Sequence, residues 1–158
     1  MLLNSLLFRQ VMHDPKIRLE KMIDNLKRHG YKITPQRLAI LRILAYSLGH
    51  PSVEEIYQQI RIDFPTISIA TVYKNISTMK TLGEVLELGF GNDSSRYDGH
   101  TPYPHPHVIC TKCKKIVDSQ LENFQDFTQK VIQETGFSIV NHRIDFFGLC
   151  PDCQRQNS

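Results

Sequence analysis

The sequence has no run long and apolar enough to cross a bilayer, which excludes a membrane-spanning helix. It shows no export leader either. Met1–Phe8 is apolar but short, with no basic residues ahead of it and no small-residue cleavage pattern. That start is expected to be an extra helical turn or a tail, and the chain is expected in the cytoplasm. Internal repeats and low-complexity tracts are missing. No cysteine is left over: the chain has 4, all spent on two Cys-x-x-Cys pairs, Cys110/Cys113 and Cys150/Cys153. In a reducing compartment such knuckles hold thiolates rather than disulfides.

The length of 158 residues admits one large domain or two small ones. Hydrophobic content of 41% and charged content of 22% suit a soluble globular protein. Two small halves would each bury a modest core, so a zinc clamp and a dimer contact are expected supplements. Residues 1–83 carry 12 Lys/Arg against 6 Asp/Glu and residues 84–158 carry 7 against 10, so the net +3 conceals +6 in front and −3 behind. A basic front half suits a polyanion partner.

Asp14-Pro15 signals a helix start, with Leu19, Met22, Ile23 and Leu26 at helical spacing and Gly30 as the stop. Thr34-Pro35 opens a second helix, with Leu38, Leu41, Leu44 and Leu48 inward and Gly49 closing it. Ser52 and Glu55 form a capping box for a third, which ends at Phe64-Pro65. Ser68 caps a fourth whose stripe is Ile69, Val72, Ile76, Met79 and Leu82. Its other face, Thr71, Lys74, Asn75 and Thr78, carries no acid and suits a DNA major groove. Val85–Leu88, a turn over Gly89–Ser95, and Arg96-Tyr97 read as a hairpin. Helices followed by a hairpin make a winged helix-turn-helix. Gly99–Pro106 holds three prolines and no core pattern, so it reads as a linker. Beyond it, strands flank the first knuckle, Glu122–Thr135 reads as a helix, and Phe137–Phe147 as a long strand leading to the second knuckle. The fold class is α+β: a winged-helix domain over residues 1–98 with an extra segment 1–13, a hinge over 99–106, and a small zinc-pinned α/β domain over 107–158.

Four thiolates in two knuckles suit one closed tetrahedral Zn²⁺ site. A redox dithiol and chance placement are the alternatives. His105 and His107 alternate along a Pro-stiffened segment, which puts both on one face. His50, Asp98 and Asp118 offer further nitrogen and oxygen donors of the type that suits Fe²⁺, Mn²⁺ or Zn²⁺. Spacing does not unite these five, and for the two Asp residues turn capping is the bland reading.

Several runs resemble the ferric-uptake-regulator family. They are Gly30–Arg37, His50-Pro51-Ser52 leading to Glu55-Ile56-Tyr57, Ser68–Tyr73, Ser95–Asp98, His107–Cys113 and Gly148–Cys153, spread in order over residues 30–153. The resemblance implies a dimeric, metal-dependent repressor that binds double-stranded DNA at a palindromic operator, not an enzyme. It implies structural zinc at Cys110, Cys113, Cys150 and Cys153. It implies a regulatory Fe²⁺ or Mn²⁺ at His50, Asp98, His105, His107 and Asp118. Asp rather than Glu at 118 resembles the peroxide-sensing branch, in which His50 and His105 are the oxidation targets. Lys32 and Tyr73 match DNA-contacting positions of the family, and Lys74 stands where the family often has Arg; Thr71 and Asn75 share the recognition helix. The family's third metal site would lack two ligands here. One extra residue separates Asp98 from His105, His100 is expected to face solvent, and His142 to pack in the strand. An iron- or zinc-responsive uptake repressor of the same family is the near rival. A metallohydrolase is the remote one, because no base or oxyanion donor accompanies the His/Asp set.

Overall fold

A computed structural model describes residues 14–90, 93–119 and 124–156. The chain divides into two compact units, Met1–Pro102 and Tyr103–Ser158. The readings of residues 1–13, of the hairpin tip and of the start of the Glu122 helix lie outside the described residues.

Unit 1 contains α1 (Pro15–Arg28), α2 (Pro35–Tyr46), α3 (Val53–Asp63), α4 (Ile69–Thr81) and the hairpin β1 (Leu86–Phe90) and β2 (Asp93–Asp98). Each helix starts where a side-chain oxygen replaces the missing backbone acceptor. Asp14 accepts from the N–H groups of Lys16 and Ile17, Thr34 from Arg37, and Ser68 from Thr71. Ser52 and Glu55 complete a reciprocal capping box. Met22, Leu26, Leu41, Leu44, Ile56, Val72, Ile76 and Met79 form one contiguous core.

Leu48 departs from the expected inward stripe and is 70% exposed. Helix α2 ends at Tyr46, and Ser47 turns into extended backbone, so Leu48 is off the helical phase; Ile40 and Ala45 fill the buried face instead.

The antiparallel hairpin pairs Leu86 with Asp98 and Leu88 with Arg96. A bridge joins Ser52 to Arg96, and the Tyr97 N–H donates to the Pro51 carbonyl at 3.0 Å. Strand β2 is thus tied to the start of α3, next to His50.

Unit 2 contains β3 (His107–Cys110), β4 (Ile116–Asp118), α5 (Phe124–Thr135), β5 (Asp145–Gly148) and α6 (Pro151–Arg155). The sheet order is β4-β3-β5, antiparallel to β4 and parallel to β5. The expected long strand shortens to Asp145–Gly148. A ladder needs a neighbour, and β3 offers only four residues, His107 to Cys110, as register partners. Among the described residues the buried apolar set of this unit is small, chiefly Ile109 and Ile116 beside Cys110 and Cys153. Phe127, Val131, Phe137, Val140, Phe146 and Phe147 are exposed on the single chain.

Candidate metal centres and nucleic-acid face

The parallel register of β3 and β5 sets Cys110 opposite Gly148, and the Thr111 N–H donates to the Gly148 carbonyl at 2.8 Å. The two knuckles therefore start side by side. Cys110 closes β3, Cys113 follows in a turn, Cys150 is the N-cap of α6, and Cys153 lies in its first turn. All four thiols are free of disulfides, and their sulfurs lie within 4.8 Å of one another. Cys113 Sγ is 3.7 Å from Cys150 Sγ. A tetrahedral Zn²⁺ with Zn–S near 2.3 Å needs sulfur separations of about 3.8 Å, so the spacing fits.

The electrostatics agree. Backbone N–H groups of Cys113 and Cys150 donate to Cys110 Sγ and lower its thiol to about 6. Burial, followed by the neighbouring sulfurs, raises Cys153 to about 12. Crowded anionic sulfurs repel, and a bound cation removes the repulsion.

A second set of donors falls into two groups, one in each unit. In unit 1, His50 Nε2 is 3.5 Å from Asp98 Oδ2, and both residues are buried. His50 sits in the left-handed region at φ 51, uncommon for a non-glycine residue although His is enriched there. Asp98 Oδ1 accepts the backbone N–H of His100 at 2.9 Å and of Thr101 at 2.8 Å. These bonds orient the carboxylate so that Oδ2 faces His50.

The turn itself is clamped. Arg18 Nε donates to the Gly99 carbonyl at 2.7 Å, and its guanidinium pairs with Glu84 at 2.6 Å. Any Cβ at Gly99 would sit 2.6 Å from Leu44 Cβ, so only glycine fits there.

In unit 2, His105 Nε2 is 3.1 Å from Asp118 Oδ1, and His107 Nε2 is 3.8 Å from the same oxygen. The rings lie 4.3 Å apart. His105 Nδ1 donates to the Tyr103 carbonyl at 2.8 Å, which leaves the Nε2 lone pair for a ligand. His107 is opposite Asp118 on β4 and opposite Asp145 on β5. Two imidazoles and a carboxylate converging on one point suit a divalent cation of the Fe²⁺ or Mn²⁺ type.

On α4, Thr71, Tyr73 and Lys74 are exposed. The Tyr73 hydroxyl donates to Glu54 Oε1 at 2.9 Å. The Glu54 carboxyl is held below the usual carboxylate range, first by its own backbone N–H and then by that hydroxyl. Lys32 is exposed between α1 and α2.

Asn75 differs from expectation: it is buried, donating to the Thr71 carbonyl and accepting from Arg37 Nε, each at 2.8 Å. Position 75 is adjacent to Ile76 and three residues beyond Val72, so it turns toward the core side. Arg37, which the sequence did not single out, also bonds the Lys32 carbonyl and lies over the Tyr31 ring.

The profile of the ferric uptake regulator family matches residues 28–147. The chain belongs to that family. The peroxide-responsive repressor PerR of Staphylococcus saprophyticus is 46% identical over 136 residues, 86% of this chain and 91% of that protein. The ferric uptake regulator of Helicobacter pylori superposes with a TM-score of 0.76 at 25% identity, covering 93% of this chain and 98% of that one. The peroxide stress regulator of Campylobacter jejuni gives 0.67 at 34% identity, covering 83% and 98%.

As a ferric uptake regulator family member the chain is a metal-dependent transcription regulator and not an enzyme, and its four cysteine sulfurs form a cluster that fits zinc. The Helicobacter pylori regulator has three functional metal-binding sites. Among the described residues here, no third His/Cys/Asp/Glu cluster accompanies the thiolates and the His/Asp groups.

His100 does not face solvent: it is buried, and its Nδ1 donates to the Ala45 carbonyl at 2.9 Å. Gly99 and His100 pack onto the end of α2, against Leu44 and Ala45. His142 is half-buried and lies outside any strand. Asp145, Arg18 and His100 carry no motif signal, because each acts through contacts made only by folding.

Proposed function

We propose that this protein is a repressor that senses hydrogen peroxide through a regulatory metal held jointly by His50, Asp98, His105, His107 and Asp118. The observation that carries the reading is the Asp118 carboxylate facing two imidazole Nε2 atoms. The unit 1 pair and the unit 2 trio are each too few for a five- or six-coordinate ion, and together they suffice. Sharing the ion ties the winged helix to the second unit. In a homodimer this sets the spacing of two α4 helices to the half-sites of a palindromic operator. The exposed apolar side chains of unit 2 supply a surface for the second copy. Repression takes place where the chromosome is, in the cytoplasm.

Bound Fe²⁺ would supply one electron that splits peroxide into hydroxide and a hydroxyl-radical-type oxidant beside the ligands, with the attacked ring giving the second electron back to the ferric ion, whereas Mn²⁺ would support DNA binding without that chemistry. His50 and His105 present their rings to that oxidant. Tyr103 holds the His105 ring in place through Nδ1, and Asp98 faces His50 Nε2. Gain of one oxygen on either ring removes a nitrogen donor, so the shared grip is lost and the two units uncouple. The four thiolates are spared, since a closed zinc site has no open position for peroxide. Relatives that are 44–46% identical and peroxide-responsive support this branch over an iron- or zinc-uptake repressor.

The test is mass spectrometry after brief peroxide exposure of Fe²⁺-loaded, Mn²⁺-loaded and regulatory-metal-free protein, with operator binding measured in parallel. A single added oxygen on His50 or His105, confined to the Fe²⁺ sample and matched by loss of DNA binding, is expected. Release of DNA with both rings unmodified refutes the mechanism, and undiminished binding by the Fe²⁺ form points to the iron-uptake rival.

A further inference from the structure

His107 stands at the centre of the unit 2 sheet, fully buried, with a carboxylate on either side. Asp118 lies 3.8 Å from its Nε2, and Asp145 Oδ1 lies 3.7 Å from its Nδ1. Only Asp118 belongs to the ligand set. Asp145 Oδ2 is held by Arg143 at 2.7 Å, while Oδ1 is buried and makes no hydrogen bond among the described residues. A buried carboxylate oxygen left in this way is costly and calls for a partner. The nitrogen that faces this oxygen is His107 Nδ1, at 3.7 Å. The gap exceeds hydrogen-bond range by about 0.5 Å, which a small rotation of the ring closes.

We infer that Asp145 is a positioning residue for the regulatory metal. It accepts the Nδ1 proton of His107, fixes the tautomer that presents the Nε2 lone pair, and strengthens donation from that nitrogen. Arg143 keeps the carboxylate turned so that Oδ1 serves the ring. Carboxylate–histidine–metal arrangements act in this way, and losing the outer carboxylate typically costs about 10–100-fold in metal affinity. His105 is held by a neutral backbone carbonyl instead, so the two imidazoles of unit 2 are distinct ligands. The inference rests on the proposed reading that His107 binds the regulatory metal.

The experiment is Mn²⁺ titration of the full-length, zinc-replete protein, following free Mn²⁺ by electron paramagnetic resonance. The variants are Asp145→Asn, Asp145→Glu and His107→Ala. Zinc content and the thermal midpoint of the Mn²⁺-free form are recorded for each. Asp145→Asn is expected to weaken Mn²⁺ binding about 10–100-fold with zinc and midpoint unchanged, and Asp145→Glu to recover most of the loss. With Co²⁺ as probe, Asp145→Asn should also shift the visible ligand-field bands. If His107→Ala binds Mn²⁺ as the parent does, the ligand assignment fails. If His107→Ala loses binding while Asp145→Asn keeps parental affinity, the role of Asp145 is refuted. Loss of zinc or a lowered midpoint in both Asp145 variants also refutes it, because the residue is then structural.

Discussion

Replacing Cys150 with serine should unfold unit 2 and leave unit 1 standing. Among the described residues, the buried apolar side chains of unit 2 are few. Ile109 and Ile116 contribute about 1.5–3 kcal/mol each, or roughly 3–6 kcal/mol together. A structural zinc site contributes about 10–16 kcal/mol, and in a domain of this kind that binding free energy is folding free energy. Cys150→Ser removes one of the four clustered sulfurs, the one 3.7 Å from Cys113 Sγ, so the change breaks the set that joins the two knuckles. Unit 1 carries its own contiguous core and has no thiol. Hydrogen exchange read by mass spectrometry, with zinc content measured on the same sample, separates the units. Amides over residues 107–118 and 145–155 should exchange at nearly unfolded rates while those over 15–90 keep parental protection. Persistent protection of 107–118 in protein shown to be zinc-free would refute the reasoning, and loss of protection in both units would show that the halves are not independent.

Arg18→Ala should destabilise unit 1 by about 3–5 kcal/mol in denaturant titration, since it leaves the Glu84 carboxylate buried without its cation. A change below 1 kcal/mol would show that Asn25, which also bonds Glu84, suffices alone. Lys74→Ala should weaken operator binding and lower the salt slope by about 1, with zinc content unchanged. An unaltered slope removes Lys74 from the phosphate contacts. Tyr97 is raised to about 12, first by burial and then by the Glu87 charge. Its neutral form stabilises the fold fully below pH 10, and that contribution is lost as pH rises from 10 towards 12. Alkaline unfolding followed by tyrosinate absorbance should show this step, and Tyr97→Phe should remove it.

Local chemistry was legible in the chain. Asp14, Thr34, Ser52 and Ser68 cap helices because a cap needs only neighbours within three or four residues. The two knuckles are equally local, and cysteine has few other uses in a reducing compartment. Family motifs named the His and Asp donors by position, yet spacing alone joined none of them.

Folding decided the rest. Asn75, on the core side of α4 by helical phase, is satisfied there by Arg37, 38 positions earlier. Leu48 left the apolar stripe because α2 stopped at Tyr46. His100 turned inward because the end of α2 presented the Ala45 carbonyl. Asp145 reached His107 only through the parallel register of two strands far apart in sequence. Caps, turns and metal knuckles depend on short-range geometry that residue order determines directly. Burial and the outer partners of a ligand depend on which distant segments pack together, and only the tertiary structure sets that.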